Sequence, residues 1–416
     1  MKKIYFMFLA PLFLYSQNLE ELVNLSINNK MVNASQQSLD SVKDAYESSK
    51  SGYLPKVDVG SKYAITDEET SSNPKNATTA YGSISYTLYD GGKKYDVYDA
   101  YESTINSSTQ SLESLKNNIS LNVITYYFNY QSLISKKDAK LKEIEQLETQ
   151  LKRLNRFLDV GTTTEDEVQK LISSVENSKV TLQEIELEIE TILHNLEYVS
   201  GENVTITTGS NIKELDSGLN GDLRFDIKSL EYDLQTKQSN ANAEKSAYLP
   251  TITLNNTFTQ YHMDYDNKSY QYPYNNQNVT SANLSWNIFS FGETKYKHES
   301  KFKEYLSSKS KFEYEKNKAN VDLKLALKAY EIGKSKIKSA QANLKAASSA
   351  YDVIKSKYEN GLVDNVAYLQ SLSEKYNAIS QLNTSTNDLE IKKANIIYQS
   401  GKKLQEYIKW WNKVES

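Results

Sequence analysis

The 416-residue chain predicts an α+β protein in which one unit is used twice, each copy pairing two short strands with a long coiled helical hairpin. Three observations predict it: an internal repeat, a switch of apolar period inside each copy, and long runs almost free of proline and glycine.

The repeat is read from three landmarks in the same order. GYLP at 52–55 returns as AYLP at 247–250, an offset of 195 residues (52 to 247). SYTLYDGG at 85–92 returns as SWNIFSFG at 285–292, and FLDVG ending at Gly161 returns as KYENG ending at Gly361, both 200 residues on. The halves thus differ by about five residues, inserted between the first two landmarks.

After Pro55 the residues Val57, Val59, Tyr63 and Ile65 alternate with polar or small ones, and from Gly82 Ile84, Tyr86 and Leu88 do the same. The copy supplies Ile252, Leu254 and Phe258, then Leu284, Trp286 and Ile288. Period-two alternation predicts strands with one apolar face, and the duplication keeps the same face apolar. Each run has roughly ten residues, enough for a tilted strand to cross a hydrocarbon core. Four strands cannot close alone, since the smallest membrane barrels have about eight and an open edge in lipid strands its backbone donors and acceptors. Either several chains share one barrel or the strands are two hairpins on a soluble core.

In chain order, residues 1–16 read as a signal peptide: Lys2 and Lys3, an apolar run from Ile4 to Leu14, and a cut after Ser16. The chain has no cysteine, so neither disulfides nor a lipidated N-terminal cysteine is available. Residues 17–51 predict one helix, 52–91 the first strand pair and 92–199 the first helical hairpin. Residues 200–221 are a connector rather than a domain, around a short alternating VTIT. A second helix is expected over 222–247, the second strand pair over 248–291, the second hairpin over 292–400 and a tail over 401–416.

Between Gly92 and Val160 there is neither proline nor glycine, and the second run, from Gly292 to Asn360, contains only Gly333. Unbroken, each would be roughly 100 Å long. Ile144, Leu147, Leu151, Leu154 and Leu158 form a heptad seam, answered by Val168, Leu171, Val175, Leu182, Ile185, Ile189, Ile192 and Leu196 with Ser178 in the one polar slot. Two antiparallel coiled helices joined at Gly161 follow. The second copy is looser, with Leu369, Leu372, Tyr376 and Ile379.

YLP ahead of each first strand, the strand ends LYDGG and IFSFG, and the hairpin turns FLDVGTTTEDEVQ (157–169) and KYENGLVDNVAYL (357–369) together resemble the TolC-type outer-membrane efflux protein family, over essentially all of the mature chain. The resemblance implies a homotrimer in the outer membrane of a Gram-negative bacterium. Each chain would give four strands to one twelve-stranded β-barrel, continuous with a periplasmic α-helical coiled-coil barrel. It also implies a passive duct in efflux or type I secretion, whose helical tips meet a periplasmic adaptor (membrane fusion) protein and, through it, an inner-membrane pump or ABC exporter. Drugs, metal ions or proteins would be the cargo.

On this resemblance Val160, Gly161, Thr162 and Thr163, with Gly361, Leu362 and Val363, match the adaptor-docking tips. Each glycine also suits a left-handed helix C-cap. Candidate pore and gate residues are Glu165, Asp166, Glu167, Lys170, Asp364, Ala367 and Gln370. Where relatives place two pore aspartates in the second tip, this chain has Ala367 and Gln370, so Glu167 and Lys170 are the stronger gate candidates. Acids in a first helical turn also oppose the macrodipole, and Thr164 with Glu167 has capping-box spacing. The lipid-facing set expected is Val57, Val59, Tyr63, Ile84, Tyr86, Leu88, Ile252, Leu254, Phe258, Leu284, Trp286 and Ile288, touching outer-membrane lipid. Tyrosines around both strand pairs suit a membrane interface, and segments 66–79 and 264–278 read as external loops.

No enzyme and no cofactor are expected. His194, His262 and His298 are scattered without ligand spacing, and IGKS at 332–335 lacks the first glycine of a phosphate loop. A formal charge of −4 with mixed signs gives no reason to expect nucleic acid. The competing reading is a soluble periplasmic coiled-coil adaptor or structural protein, whose strand faces would be buried rather than in lipid. Trp410 and Trp411 have no derived role beyond packing on the helices.

Overall fold

The computed structural model describes residues 16–213 and 222–410. The signal-peptide reading up to residue 15, the end of the connector and Trp411 lie outside the described residues. Among the described residues thirteen α-helices and β-strands follow in order: α1 (Leu19–Ser26), α2 (Lys30–Gly52), β1 (Lys56–Ile65), β2 (Asn76–Tyr89), α3 (Lys93–Asp159), α4 (Glu165–Ser200), β3 (Ser210–Ile212), α5 (Phe225–Ala243), β4 (Thr251–Asp264), β5 (Asn276–Ser285), α6 (Glu293–Glu359), α7 (Asn365–Gln399) and β6 (Ile408–Trp410). Helices α3 and α6 each have 67 residues and begin 200 positions apart. The duplication is therefore one of structure as well as sequence. Two compact units are present, one of Ser35–Ser111 with Asp226–Lys316, the other of the chain up to Ala34, Leu112–Phe225 and everything from Asn317 on.

The first unit holds one four-stranded antiparallel sheet in the order β1-β2-β4-β5. The two hairpins are joined by β2 against β4, from Asn76 opposite Asp264 to Tyr89 opposite Ile252. Strand β2 is longer than the run expected from Gly82, because it is paired on both sides. Strand β5 is shorter: it stops at Ser285, opposite Thr251, so Trp286 and Ile288 are not strand residues. Pro250 precedes Thr251 and has no N–H to continue the ladder. Pro55 ends β1 in the same way, but β2 continues past it on β4. Trp286 instead donates its indole N–H to the Tyr248 carbonyl at 3.1 Å.

The single helix expected over 17–51 is two. It breaks at Ile27 and restarts at Lys30, because Asn29 caps the new turn: its Oδ1 accepts the Val32 N–H at 2.9 Å while its Nδ2 donates to the Val199 carbonyl at 2.8 Å. Helix α1 has its own reciprocal cap between Asn18 and Glu21.

In the second unit the chain ends meet the connector. Within VTIT, Ile206 makes a single parallel bridge to Gln17, and the connector's strand is β3, which pairs with β6 from the tail. The backbone of Trp410 is thus paired with Ser210. Leu19, Leu22, Tyr127, Leu196, Ile396 and Leu404 are fully buried in this unit. Tyr127 shows how the interior is satisfied: its hydroxyl donates to the Thr207 carbonyl at 2.9 Å and accepts the Ser210 N–H at 3.2 Å. Asn117 holds the tail, donating to the Lys402 carbonyl at 3.0 Å and accepting the Leu404 N–H at 2.9 Å. IGKS lies inside α6 as helix, where Gly333 permits close approach of Leu389 and Lys392 on α7.

Candidate functional site: hairpin tips and sheet faces

Both helical hairpins turn by the same local device. At the first, the Gly161 N–H donates to Leu158 and the Thr162 N–H to Phe157; at the second, Gly361 donates to Tyr358 and Leu362 to Lys357. Both glycines have φ of +71°, which defines a Schellman cap. The following helices begin differently. Asp364 accepts the Ala367 N–H at 2.9 Å and caps α7. Thr164 stands at the α4 cap without a side-chain bond to the backbone, so the capping box expected with Glu167 does not form. Instead Thr163 donates to the Glu167 carboxylate at 2.5 Å. Asp166 is held below the usual carboxylate range, first by a hydrogen bond from Thr164 and then by Lys170, 3.2 Å away. Gln370 donates to Glu374 at 3.0 Å, and Glu165 is exposed. The gate candidates therefore make short local contacts, and Glu167 and Lys170 are not paired with each other.

The two tips pack side by side through one apolar cluster. Leu147 and Leu154 of α3, Val168, Leu171 and Val175 of α4, Tyr351 of α6, and Tyr368 and Leu372 of α7 are buried together. Aromatic rings are part of it: Tyr351 lies 6.1 Å from Tyr368, and the partly buried Tyr358 stacks on Tyr368 with ring centroids 4.8 Å apart. Gln150 donates to the Tyr358 hydroxyl at 2.7 Å, and the Arg153 guanidinium lies over both Phe157 and Tyr358. Burial pushes the Tyr358 and Tyr368 hydroxyls above their ordinary pKa. Sequence reading did not single these tyrosines out; the heptad interval from Tyr351 to Tyr358 was the available signal. Beyond this core, Val160 is 70% exposed and Leu362 72%, with Val366 beside them in sequence also exposed. An apolar rim on a firmly packed base is a surface suited to a protein partner.

The sheet sorts the other expected residues. Register places Val57, Val59 and Tyr63, then Ile84 and Tyr86, then Ile252, Leu254 and Phe258, then Leu284 on one face. Leu88 sits at the bulge between Thr87 and Tyr89. The opposite face carries Asp58, Lys62, Ser83, Ser85, Thr257 and Thr259. Polar residues on the apolar face satisfy one another: Asn256 donates to Asn278 at 2.9 Å and to Thr280 at 2.8 Å. Val59 is 85% exposed, so nothing in the single chain covers this face. Strands β1 and β5 each pair on one side only.

The chain thus combines a two-fold repeat, long antiparallel helical hairpins and a two-faced, open-edged sheet. The family model described as outer membrane efflux protein matches residues 22–202 and again 222–401, one match per repeat, and the chain belongs to that family. Among solved structures the chain resembles the Campylobacter jejuni CmeC outer membrane channel, with a TM-score of 0.82 at 19% identity over 92% of this chain and 85% of that one. The Vibrio cholerae outer membrane protein VceC gives 0.80 at 13% identity, covering 93% and 96%. CusC, described as forming a transmembrane channel, gives 0.82 at 14% identity, covering 94% and 93%. At such identities the likeness is one of fold. No curated protein matches the chain by sequence. Among the described residues no helix is long and apolar enough to cross a membrane.

Proposed function

We propose that three copies of this chain close a twelve-stranded barrel in the outer membrane and that the assembly is a passive export duct. The observation that carries the reading is the sheet: apolar on one face, polar on the other, and open at both edges. Each strand is antiparallel to the next, so β1 and β5 run in opposite directions. The β5 edge of one copy can therefore pair antiparallel with the β1 edge of another, and rotation closes the ring without a free edge. The number three comes from the family. The apolar face, with Val57, Val59, Ile84, Leu254, Phe258 and Leu284, then meets lipid, and the polar face lines the lumen.

The tips, with Val160, Gly161, Thr162, Thr163, Gly361, Leu362 and Val363, dock a periplasmic adaptor protein joined to an inner-membrane pump or ABC exporter. Support comes from the exposed apolar rim and its rigid tyrosine base. Cargo selection lies with the pump, and drugs, metal ions and proteins are the classes in question.

The deciding experiment is the native mass of the mature protein extracted from outer membranes. A trimer that exists only with detergent is the expected result; a soluble monomer or dimer needing none would replace the duct with a periplasmic coiled-coil protein. A second expectation concerns the tunnel mouth, where Glu165, Asp166, Glu167 and Asp364 repeat by symmetry as a ring of acids. Removing the carboxylate that Thr163 holds, in Glu167→Ala, is expected to raise single-channel conductance in planar bilayers. Wild-type conductance would remove Glu167 from the gate.

A further inference from the structure

The loop between β4 and β5 carries Tyr265, Tyr270, Tyr272 and Tyr274, and β4 itself adds Tyr261. Register puts Tyr261 on the polar face of the sheet, in line with Thr257 and Thr259. Tyr272 lies against Tyr261, with ring centroids 4.9 Å apart and planes tilted by 49°. Tyr274 stands nearly perpendicular to Tyr272, at 81° and 6.2 Å. The loop is thus folded back against Tyr261 on the polar face.

Other contacts fix it there. Glu69, from the neighbouring β1–β2 loop, accepts the N–H groups of Asp266 and Asn267 at 2.7 and 2.9 Å. The Tyr265 hydroxyl donates to the Ser71 carbonyl at 3.3 Å, and the Tyr261 hydroxyl to Gln277 at 3.2 Å. The rings wall an open cleft of about 650 Å³ that also contains Asp264 and Lys268. Across the two loops the charged residues are Asp67, Glu68, Glu69 and Asp266 against Lys75 and Lys268, an excess of acid, and Asp264 at the end of β4 lies 3.6 Å from His262.

We propose that this cleft binds a monovalent organic cation of the quaternary ammonium class. Rings set at large mutual angles offer π faces from several directions, which suits a cation that is attracted by the ring quadrupole. A quaternary ammonium has an apolar shell and no N–H to satisfy, so tyrosine walls can replace its hydration. The surplus carboxylates add attraction over about a Debye length, roughly 8 Å at physiological salt, without needing direct contact. Within the cleft Lys268 balances Asp264, and the excess of acid comes from the surrounding loop residues. The proposal concerns binding alone and holds whether or not the chain forms a duct.

The test uses the full-length protein in detergent at constant ionic strength, with choline and its uncharged isostere 3,3-dimethyl-1-butanol as probes, read by saturation-transfer NMR. Choline is expected to bind saturably and the isostere not. Tyr261→Leu and Tyr272→Leu are each expected to weaken choline binding roughly two- to fivefold, the value of one ring, whereas Tyr272→Phe keeps the π face and the affinity. Equal binding of the two probes would overturn the proposal in favour of a merely apolar cleft. So would choline binding indifferent to both leucine variants. Displacement of choline by glucose, with Tyr272→Phe losing affinity, would overturn it in favour of a hydrogen-bonded sugar site. Comparing the two probes on the wild-type protein needs no variant, so the proposal stays testable if a leucine variant misfolds.

Discussion

Gly401→Ala is expected to release the C-terminal tail and to cost the protein about 3 kcal/mol or more of stability. Two terms add. Gly401 has φ of +73°, where a β-carbon costs about 1–2 kcal/mol. A β-carbon there would also lie 2.7 Å from the carbonyl oxygens of both Asp222 and Leu223, which are backbone atoms with little freedom to move. The segment entering α5 and the tail must then separate, and Asn117 loses both its partners on Lys402 and Leu404. Limited proteolysis of the folded protein checks this: cleavage within residues 402–410 should become fast, with a lower unfolding midpoint. Gly161→Ala is the control. Its φ is also positive but nothing lies within 4 Å of the added carbon, so it should show the strain term alone. Equal losses in the two variants would mean that contact with Asp222 and Leu223 is unimportant.

Gly361→Arg is expected to abolish the proposed export while leaving the proposed trimer intact. The added carbon meets nothing within 4 Å. The fold should therefore lose only the left-handed strain, about 1–2 kcal/mol spread over one turn of a long hairpin. What changes is the rim: a long cation replaces open space beside the exposed Leu362, at the surface proposed to dock the adaptor. Dye efflux from cells dependent on this chain, measured beside native mass in detergent, separates the causes. Efflux unchanged with trimers present would sink the docking assignment. Loss of the trimer would show that the turn matters for folding. Gly361→Ala, with the strain but no bulk, should keep most of the efflux.

The repeat, the two long hairpins and their glycine turns were legible in the sequence because each rests on local chemistry. Heptad spacing from Ile144 to Leu158 needs no knowledge of the partner helix, and a glycine after FLDV or KYEN reads as a helix end by its own backbone freedom. Strand faces were legible for the same reason, since the side-chain period of two is a property of one strand. Nine of the twelve residues assigned to the apolar face share it by register.

The tertiary structure decided what depends on distant partners. Trp286 and Ile288 continue an alternating pattern, yet β5 stops at Ser285 because Pro250, more than thirty positions earlier, ends the ladder it needs. The helix break before Lys30 follows from Asn29 reaching Val199, and the place of the tail follows from Asn117 and from β3. Thr163 rather than Thr164 holds Glu167, a choice made by geometry within one turn that capping-box spacing cannot distinguish. The joining of the two hairpins through β2 and β4, and the tyrosine core that locks the tips together, bring together residues from the two halves of the chain. Period and punctuation set each element alone; pairings between elements remote in sequence are settled only where their hydrogen bonds and side chains meet.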